Sequence, residues 1–395
     1  MRLSFTLALA ASVLLLSGAG GTSPETTLAE AEAALAKSYA ASQEKLGTWC
    51  LEQKLFNEAR GALQEALLWD GRNAKVAKAL AELPAEPPPD ETKLTAELAA
   101  RHLTLDKAQV AALTKLAQQA VQANAFAMAR RLGARARALQ TEIDLNGVGK
   151  GAPSPAQVAL DKALATPQAV AALKLLDERL AKATGKWVLV PPEKDLPGYV
   201  LELPKDYEAG RRIPIYFHVD GGGGNPSEAA RVDGQIVDGG FALVAPNCPS
   251  ADGAGNPEAE CLQLLRIVDR LCNDLGLDRE RVFLCGHSGA GRIAYTMIDK
   301  HRDRLRGVIP LGAVFAGGLS KCPRPDPFPI YVLKGEKDSL NGPVLDKAIP
   351  AALEALKQAQ FTHVKYELVP EMDHVTLYLC SPQRLAWCQD VLAFK

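Results

Sequence analysis

Ser288 closes a short apolar run, Arg281-Val282-Phe283-Leu284-Cys285-Gly286-His287-Ser288, and small residues then open an amphipathic helix over Ala290–His301. A strand that reverses directly into a helix strains the residue at the bend and pushes its side chain off the sheet edge. The next backbone N–H, on Gly289, lies at a helix N-terminus, where a developing negative charge is stabilised. That is how a chain makes a nucleophilic serine. The string alone is common; the strand before it and the helix after it give it weight. One position departs from the Gly-x-Ser-x-Gly pattern: Ala290 stands where the second glycine belongs, and glycine follows at 291.

A serine hydroxyl reacts only when a base takes its proton, and the base needs a carboxylate to orient it. Both should come from loops at the carboxyl ends of later strands. Ile330–Leu333 is such a strand, and Lys334-Gly335-Glu336-Lys337-Asp338 follows it, which delivers Asp338 to that edge, with Glu336 or Asp346 as substitutes. Val364–Pro370 is another, followed by Glu371-Met372-Asp373-His374, and His374 is the expected base. His363 lies within a strand, His301 sits where a helix C-terminus favours a cation, and His287 is expected to pack within the turn. Acyl transfer also needs preorganised N–H donors for a negative oxygen. Pro214–Val219 is a strand leading through Asp220 into Gly221–Gly224. Gly222 and Gly289 are the expected donors, with Gly221 as the alternative, because glycine admits close backbone approach.

These groups need a sheet to carry them. From Trp187 short β-rich runs alternate with helical stretches: Trp187–Val190, Tyr199–Leu203, Ile213–Val219, Phe241–Pro246, Arg281–Cys285, Arg306–Pro310, Pro329–Leu333 and His363–Leu368. Helices are expected near Pro257–Leu275, Ala290–His301, Pro343–Gln358 and Pro382–Phe394. Such alternation predicts an α/β fold with a mostly parallel sheet covered on both faces.

Residues 24–183 read differently, Ala- and Leu-rich with helical spacing, broken by Pro-rich residues 84–89 and by a linker at 146–153. Leu46–Asp70 resembles a tetratricopeptide-type helical hairpin, and Phe126, Ala129 and Arg130 echo Phe56, Ala59 and Arg60. A spacer or packing role and a concave surface for a protein or glycan partner both remain open. Residues 1–19, with Arg2, an apolar stretch and Ser17-Gly18-Ala19, read as a cleaved signal peptide, hence export to a secreted or periplasmic location. No cysteine follows to carry a lipid, and no later run is long enough to span a membrane. Lys plus Arg (45) nearly balances Asp plus Glu (46), which leaves no basic field for nucleic acid. Eight cysteines suit an oxidising compartment; Cys285 is expected to be a buried thiol, and some disulfides are expected among others of the C-terminal half. No Cys/His cluster has zinc spacing, so no metal is expected.

On the strand leading to Gly221–Gly224, Val244-Ala245-Pro246, Leu277-Asp278, Gly286-His287-Ser288, Gly335–Asp338 and His374, residues 187–395 resemble a secreted α/β-hydrolase. The likeness is to polyhydroxybutyrate-depolymerase-like, feruloyl-esterase-like and phospholipase/carboxylesterase-like serine esterases, whose chain order of serine, acid and histidine is matched. That family has His-Gly before the oxyanion glycines; here Asp220 takes the histidine's place and His218 stands two residues earlier. The resemblance implies an exported hydrolase of a small-molecule or polymer-derived carboxylic ester that uses no cofactor. Two other readings stay open. One is a serine peptidase of the prolyl-oligopeptidase type, whose propeller repeats the front half does not show. The other is an inactive hydrolase-fold binding module.

Overall fold

The computed structural model of the chain describes residues 24–70, 73–84, 95–143, 154–193, 196–208, 211–221, 226–248, 256–315, 317–338 and 342–393. The expected signal peptide, the linker at 146–153, most of the Pro-rich break and the expected donor Gly222 lie outside these residues. Two compact units meet between Leu173 and Lys174, inside a helix rather than at the change of texture near 183–187.

The first unit is all helix: α1 (Pro24–Glu52), α2 (Phe56–Trp69), α3 (Ala74–Ala81), α4 (Thr95–Gln122), α5 (Phe126–Ile143), α6 (Pro155–Leu164) and the start of α7 (Pro167–Ala183). α1 folds back on α2, and α4 on α5, through the same turn. Lys54 and Asn124 both take left-handed φ, 62° and 59°. In both turns an N–H reaches back five residues, Leu55 to the Cys50 carbonyl and Ala125 to the Ala120 carbonyl, each at 2.8 Å. The small residues Cys50, Ala59, Ala120 and Ala129 are all fully buried, which lets the paired helices approach closely. The echo seen in the sequence is therefore a repeated turn. Its period is 70 (126 − 56), and α1 alone is 29 residues long, unlike the roughly 34-residue tetratricopeptide unit.

The second unit is an eight-stranded sheet in the order β1-β2-β4-β3-β5-β6-β7-β8. Its strands are β1 (Val188–Val190), β2 (Tyr199–Glu202), β3 (Ile215–Val219), β4 (Ala242–Pro246), β5 (Val282–His287), β6 (Gly307–Leu311), β7 (Ile330–Gly335) and β8 (Val364–Val369). β2 pairs antiparallel with both neighbours, and β3 to β8 run parallel. This is a mostly parallel sheet of the α/β-hydrolase type. β3 to β6 are buried at every position, as strands covered on both faces must be. The covering helices are α8 (Pro226–Val232), α9 (Gly234–Asp238), α10 (Pro257–Leu275), α11 (Gly291–Lys300), α12 (Gly342–Gln358) and α13 (Ser381–Ala393). Among the described residues no helix is long and apolar enough to cross a membrane.

All eight cysteines are buried free thiols, which corrects the expectation of disulfides. They serve as small apolar core groups: Cys285, Cys380 and Cys388 sit at 0% exposure in one cluster with Phe283 and Trp387. Burial pushes the Cys248 and Cys285 thiols up to about 12.

Within that core lies a charge. Arg384 and Asp233, both at 0% side-chain exposure, pair at 2.7 Å, and Arg384 also donates to the Tyr216 hydroxyl and the Tyr378 carbonyl. His218 Nδ1 meets the same Asp233 carboxylate. Burial alone would raise the Asp233 carboxyl, but Arg384 and His218 hold it below its ordinary value. Its contribution to stability is therefore present at neutral pH and lost as pH falls through the folded-state value. Removing one partner strands the other. Arg384→Met is expected to cost about 3–5 kcal/mol, read as a lower denaturant midpoint at unchanged m-value. A loss below about 1 kcal/mol would mean that Asp233 is neutralised by another group.

Candidate active site

Ser288 sits where β5 turns into α11, in a short 3₁₀ turn over Ser288–Ala290. Its φ is 55°, a left-handed conformation that costs an L-residue about 1–2 kcal/mol. The departure from the glycine pattern has a local cause. A Cβ at Gly291 would lie 2.6 Å from the Ala313 Cβ and 2.8 Å from the Val314 carbonyl oxygen, so glycine is needed one residue later than the pattern places it. The Val314 N–H in turn donates to the Ser288 carbonyl at 3.2 Å.

Asp338 follows β7 and His374 follows β8, and the two loops are stitched together by backbone. The Glu336 N–H donates to the Val369 carbonyl at 3.0 Å, and the Lys337 N–H to the Met372 carbonyl at 2.8 Å. Asp373 caps the turn beyond, accepting from the Val375 and Thr376 N–H groups at 3.0 and 2.7 Å. His374 is thereby held with one ring nitrogen toward each partner. Nδ1 lies 2.7 Å from Asp338 Oδ2, and Nε2 lies 2.9 Å from Ser288 Oγ. A carboxylate can only accept, so the Nδ1 proton points at Asp338 and Nε2 is left to accept from the serine hydroxyl. His374 is 5% and Asp338 4% exposed, which keeps water from competing for these bonds.

The alternatives are engaged elsewhere. Glu336 accepts from the Glu371 N–H at 3.1 Å, and Asp346 pairs with Lys334. His301 meets Glu258 at 3.0 Å rather than only a helix terminus, and His363 lies at the amino end of β8, away from the edge that carries Ser288. Gly221 leaves no room for a side chain beside Ser288: a Cβ there would be 2.7 Å from the Ser288 Cβ and 2.8 Å from the Gly289 nitrogen. Gly289 is the second residue of the 3₁₀ turn, directly after Ser288.

Three neighbours were not anticipated in these roles. His287 does more than pack in the turn: its Nε2 lies 3.2 Å from the His374 carbonyl oxygen and its Nδ1 3.4 Å from Asp220 Oδ1. The Tyr378 hydroxyl donates to the same Asp220 oxygen. Burial lowers the affinity of His287 for a proton, and its ring lies 4.7 Å from that of His374. Burial pushes the Asp220 carboxyl up, but hydrogen bonds from His287 and Tyr378 bring it below its ordinary value. Sequence carried one signal for this group: Asp220 standing where the enzymes that residues 187–395 resemble carry histidine.

No family model matches the chain, and no curated protein matches it. Solved structures do resemble it. A thermostable esterase is 19% identical over 53% of this chain, which spans 64% of that one, with a TM-score of 0.41. The carboxylesterase of Bacillus cereus is 14% identical, covering 49% of this chain and 93% of that one, TM-score 0.38. A ferulic acid esterase of the anaerobic fungus Anaeromyces mucronatus is 16% identical, covering 53% and 91%, TM-score 0.41. At such values the strand order and register, not the likenesses, establish the fold.

Proposed function

We propose that the chain is a serine hydrolase that cleaves a carboxylic ester through Ser288, His374 and Asp338 by way of an acyl-enzyme. The observation that supports it most is the single imidazole of His374 within hydrogen-bond reach of both a strained serine and a buried carboxylate. Ser288 Oγ attacks the ester carbonyl carbon while its proton passes to His374 Nε2. The carbonyl oxygen becomes an oxyanion facing the Gly289 N–H, with Gly222 of the glycine run as the second donor. Collapse expels the alcohol, which takes the proton from Nε2 and leaves acyl-Ser288. Water then attacks the same carbon, giving a proton to Nε2; collapse releases the acid and returns the proton to Oγ. Asp338 keeps the ring oriented and balances the imidazolium throughout. This chemistry calls on no cofactor. Residues 1–19 support export as part of the same reading.

A fluorophosphonate tests it: the expected result is one covalent adduct, mapped by peptide mass to the peptide holding Ser288, together with turnover of a p-nitrophenyl ester. Full labelling of another residue, or none, would remove the reading.

The Gly221 contact supplies a prediction of its own. Two of the atoms a Cβ would strike, Gly289 N and His287 O, are backbone and cannot swing away. Gly221→Ala should therefore displace an oxyanion donor and lower kcat on the order of 10²- to 10³-fold. A loss of less than about tenfold in steady-state kinetics would show that Gly289 is not such a donor.

A further inference from the structure

We propose that Asp220, Tyr378 and His287 form a positioning bridge that locks the segment entering the glycine run to the turn carrying His374. The inference rests on the esterase reading for its kinetic consequence. It goes beyond that reading in assigning work to three residues that touch no reacting atom.

The bridge joins three chain segments at one oxygen. Asp220 leaves the end of β3, immediately before Gly221, and is only 9% exposed. Tyr378 lies four residues after His374, in the 3₁₀ turn Thr376–Cys380. His287 ends β5, next to Ser288. Asp220 Oδ1 accepts from the Tyr378 hydroxyl and faces His287 Nδ1 at 3.4 Å. A neutral imidazole carries a single N–H, so of Asp220 Oδ1 and the His374 carbonyl oxygen, 3.2 Å from Nε2, His287 donates to one; its ring packs 4.2 Å from that of Tyr378. Gly221, next in the chain, touches the backbone of both His287 and Gly289. A shift of Asp220 is thus transmitted through Gly221 to the turn of Ser288 and through Tyr378 to the turn that follows His374. A carboxylate this enclosed has ready partners in a phenol and an imidazole, which fix it directionally. The Tyr378 backbone is pinned separately, because Arg384 donates to its carbonyl at 2.8 Å. Removing the hydroxyl alone therefore breaks the bridge and leaves the turn anchored.

The experiment compares the full chain with Asp220→Ala, Tyr378→Phe and the double variant. Three readouts are taken: p-nitrophenyl butyrate kinetics, thermal melting, and the low-field proton NMR resonance of the His374–Asp338 hydrogen bond. The expected result is kcat lower by about tenfold to a hundredfold in each single variant, from misplacement of the reacting groups, with KM within about twofold. The resonance should shift or broaden in both, and the double variant should be no worse than the poorer single, because both changes break one connection. Tyr378→Phe should melt close to the parent and so report on the bridge even if Asp220→Ala folds poorly. An unmoved resonance and kcat within about twofold in Tyr378→Phe would overturn the bridge while parent turnover leaves the esterase reading intact. A moved resonance in a chain whose parent shows neither turnover nor adduct would uphold the bridge and remove the esterase reading instead.

Discussion

Ser288→Ala is expected to lower ester turnover on the order of 10⁶-fold, the scale set by loss of a nucleophile whose base and acid remain, and to abolish the phosphonate adduct. The effect should be large because, in the proposed mechanism, Ser288 Oγ is the atom that bonds to the substrate. His374 would be left 2.9 Å from a vacated oxygen position, able to take a proton from nothing but water. Whatever turnover remains would come from binding and oxyanion donors. The same position makes a stability prediction. Its φ of 55° is a cost carried by serine and alanine alike, whereas glycine has no Cβ to clash. Ser288→Gly should thus be more stable than Ser288→Ala by about 1 kcal/mol, a melting difference of about 2–4 °C for a unit of this size. Equal melting, or a lower value for the glycine variant, would mean that the bend stores no strain. A residual activity of Ser288→Ala within about a hundredfold of the parent would show that another nucleophile does the work.

The strain, the strand and the helix were all legible because a strand-to-helix bend of this kind compresses its requirements into a short run of consecutive residues. All eight strands of the second unit were legible: β3 to β7, parallel and buried, are nearly continuous apolar runs, and the others are bounded by turn residues. Pro257–Leu275 even matches to the residue, fixed by Asn256, whose side chain accepts from the Glu258 N–H, and by Gly276 in a left-handed cap. What could not be read was chemistry that depends on contacts between distant segments. Asp220 and Tyr378 are 158 residues apart in sequence, and nothing local to either names the other. Arg384 falls in the helix expected near Pro382–Phe394 with nothing beside it in sequence to mark it, and its guanidinium is fully buried against Asp233. The cysteines misled because their number suits disulfides while their positions, one at a time on core faces, suit packing. The helical half was legible as helix and in its repeated turn, but not in its helix lengths, since helices of Ala and Leu advertise their period without advertising where they end.

Asp338→Asn should lower kcat about 10⁴-fold with the fold and KM largely kept. The argument is one of protons. As a carboxylate, Asp338 accepts from His374 Nδ1, which obliges Nε2 to be bare and basic toward Ser288. An asparagine amide can donate as well as accept, so it can stabilise the other tautomer, in which Nε2 carries the proton and presents it to Oγ. The ring would keep its place and lose its function. Substitution by a neighbouring acid is closed off, because Glu336 is taken by the Glu371 N–H and Asp346 by Lys334. Nitrogen-15 NMR of His374 should accordingly show the Nδ1-protonated tautomer in the parent and the Nε2-protonated one in the variant. If turnover fell less than about tenfold with the tautomer unchanged, the orienting group would have to be something other than this carboxylate, and the proton path drawn from Ser288 through His374 would need another terminus.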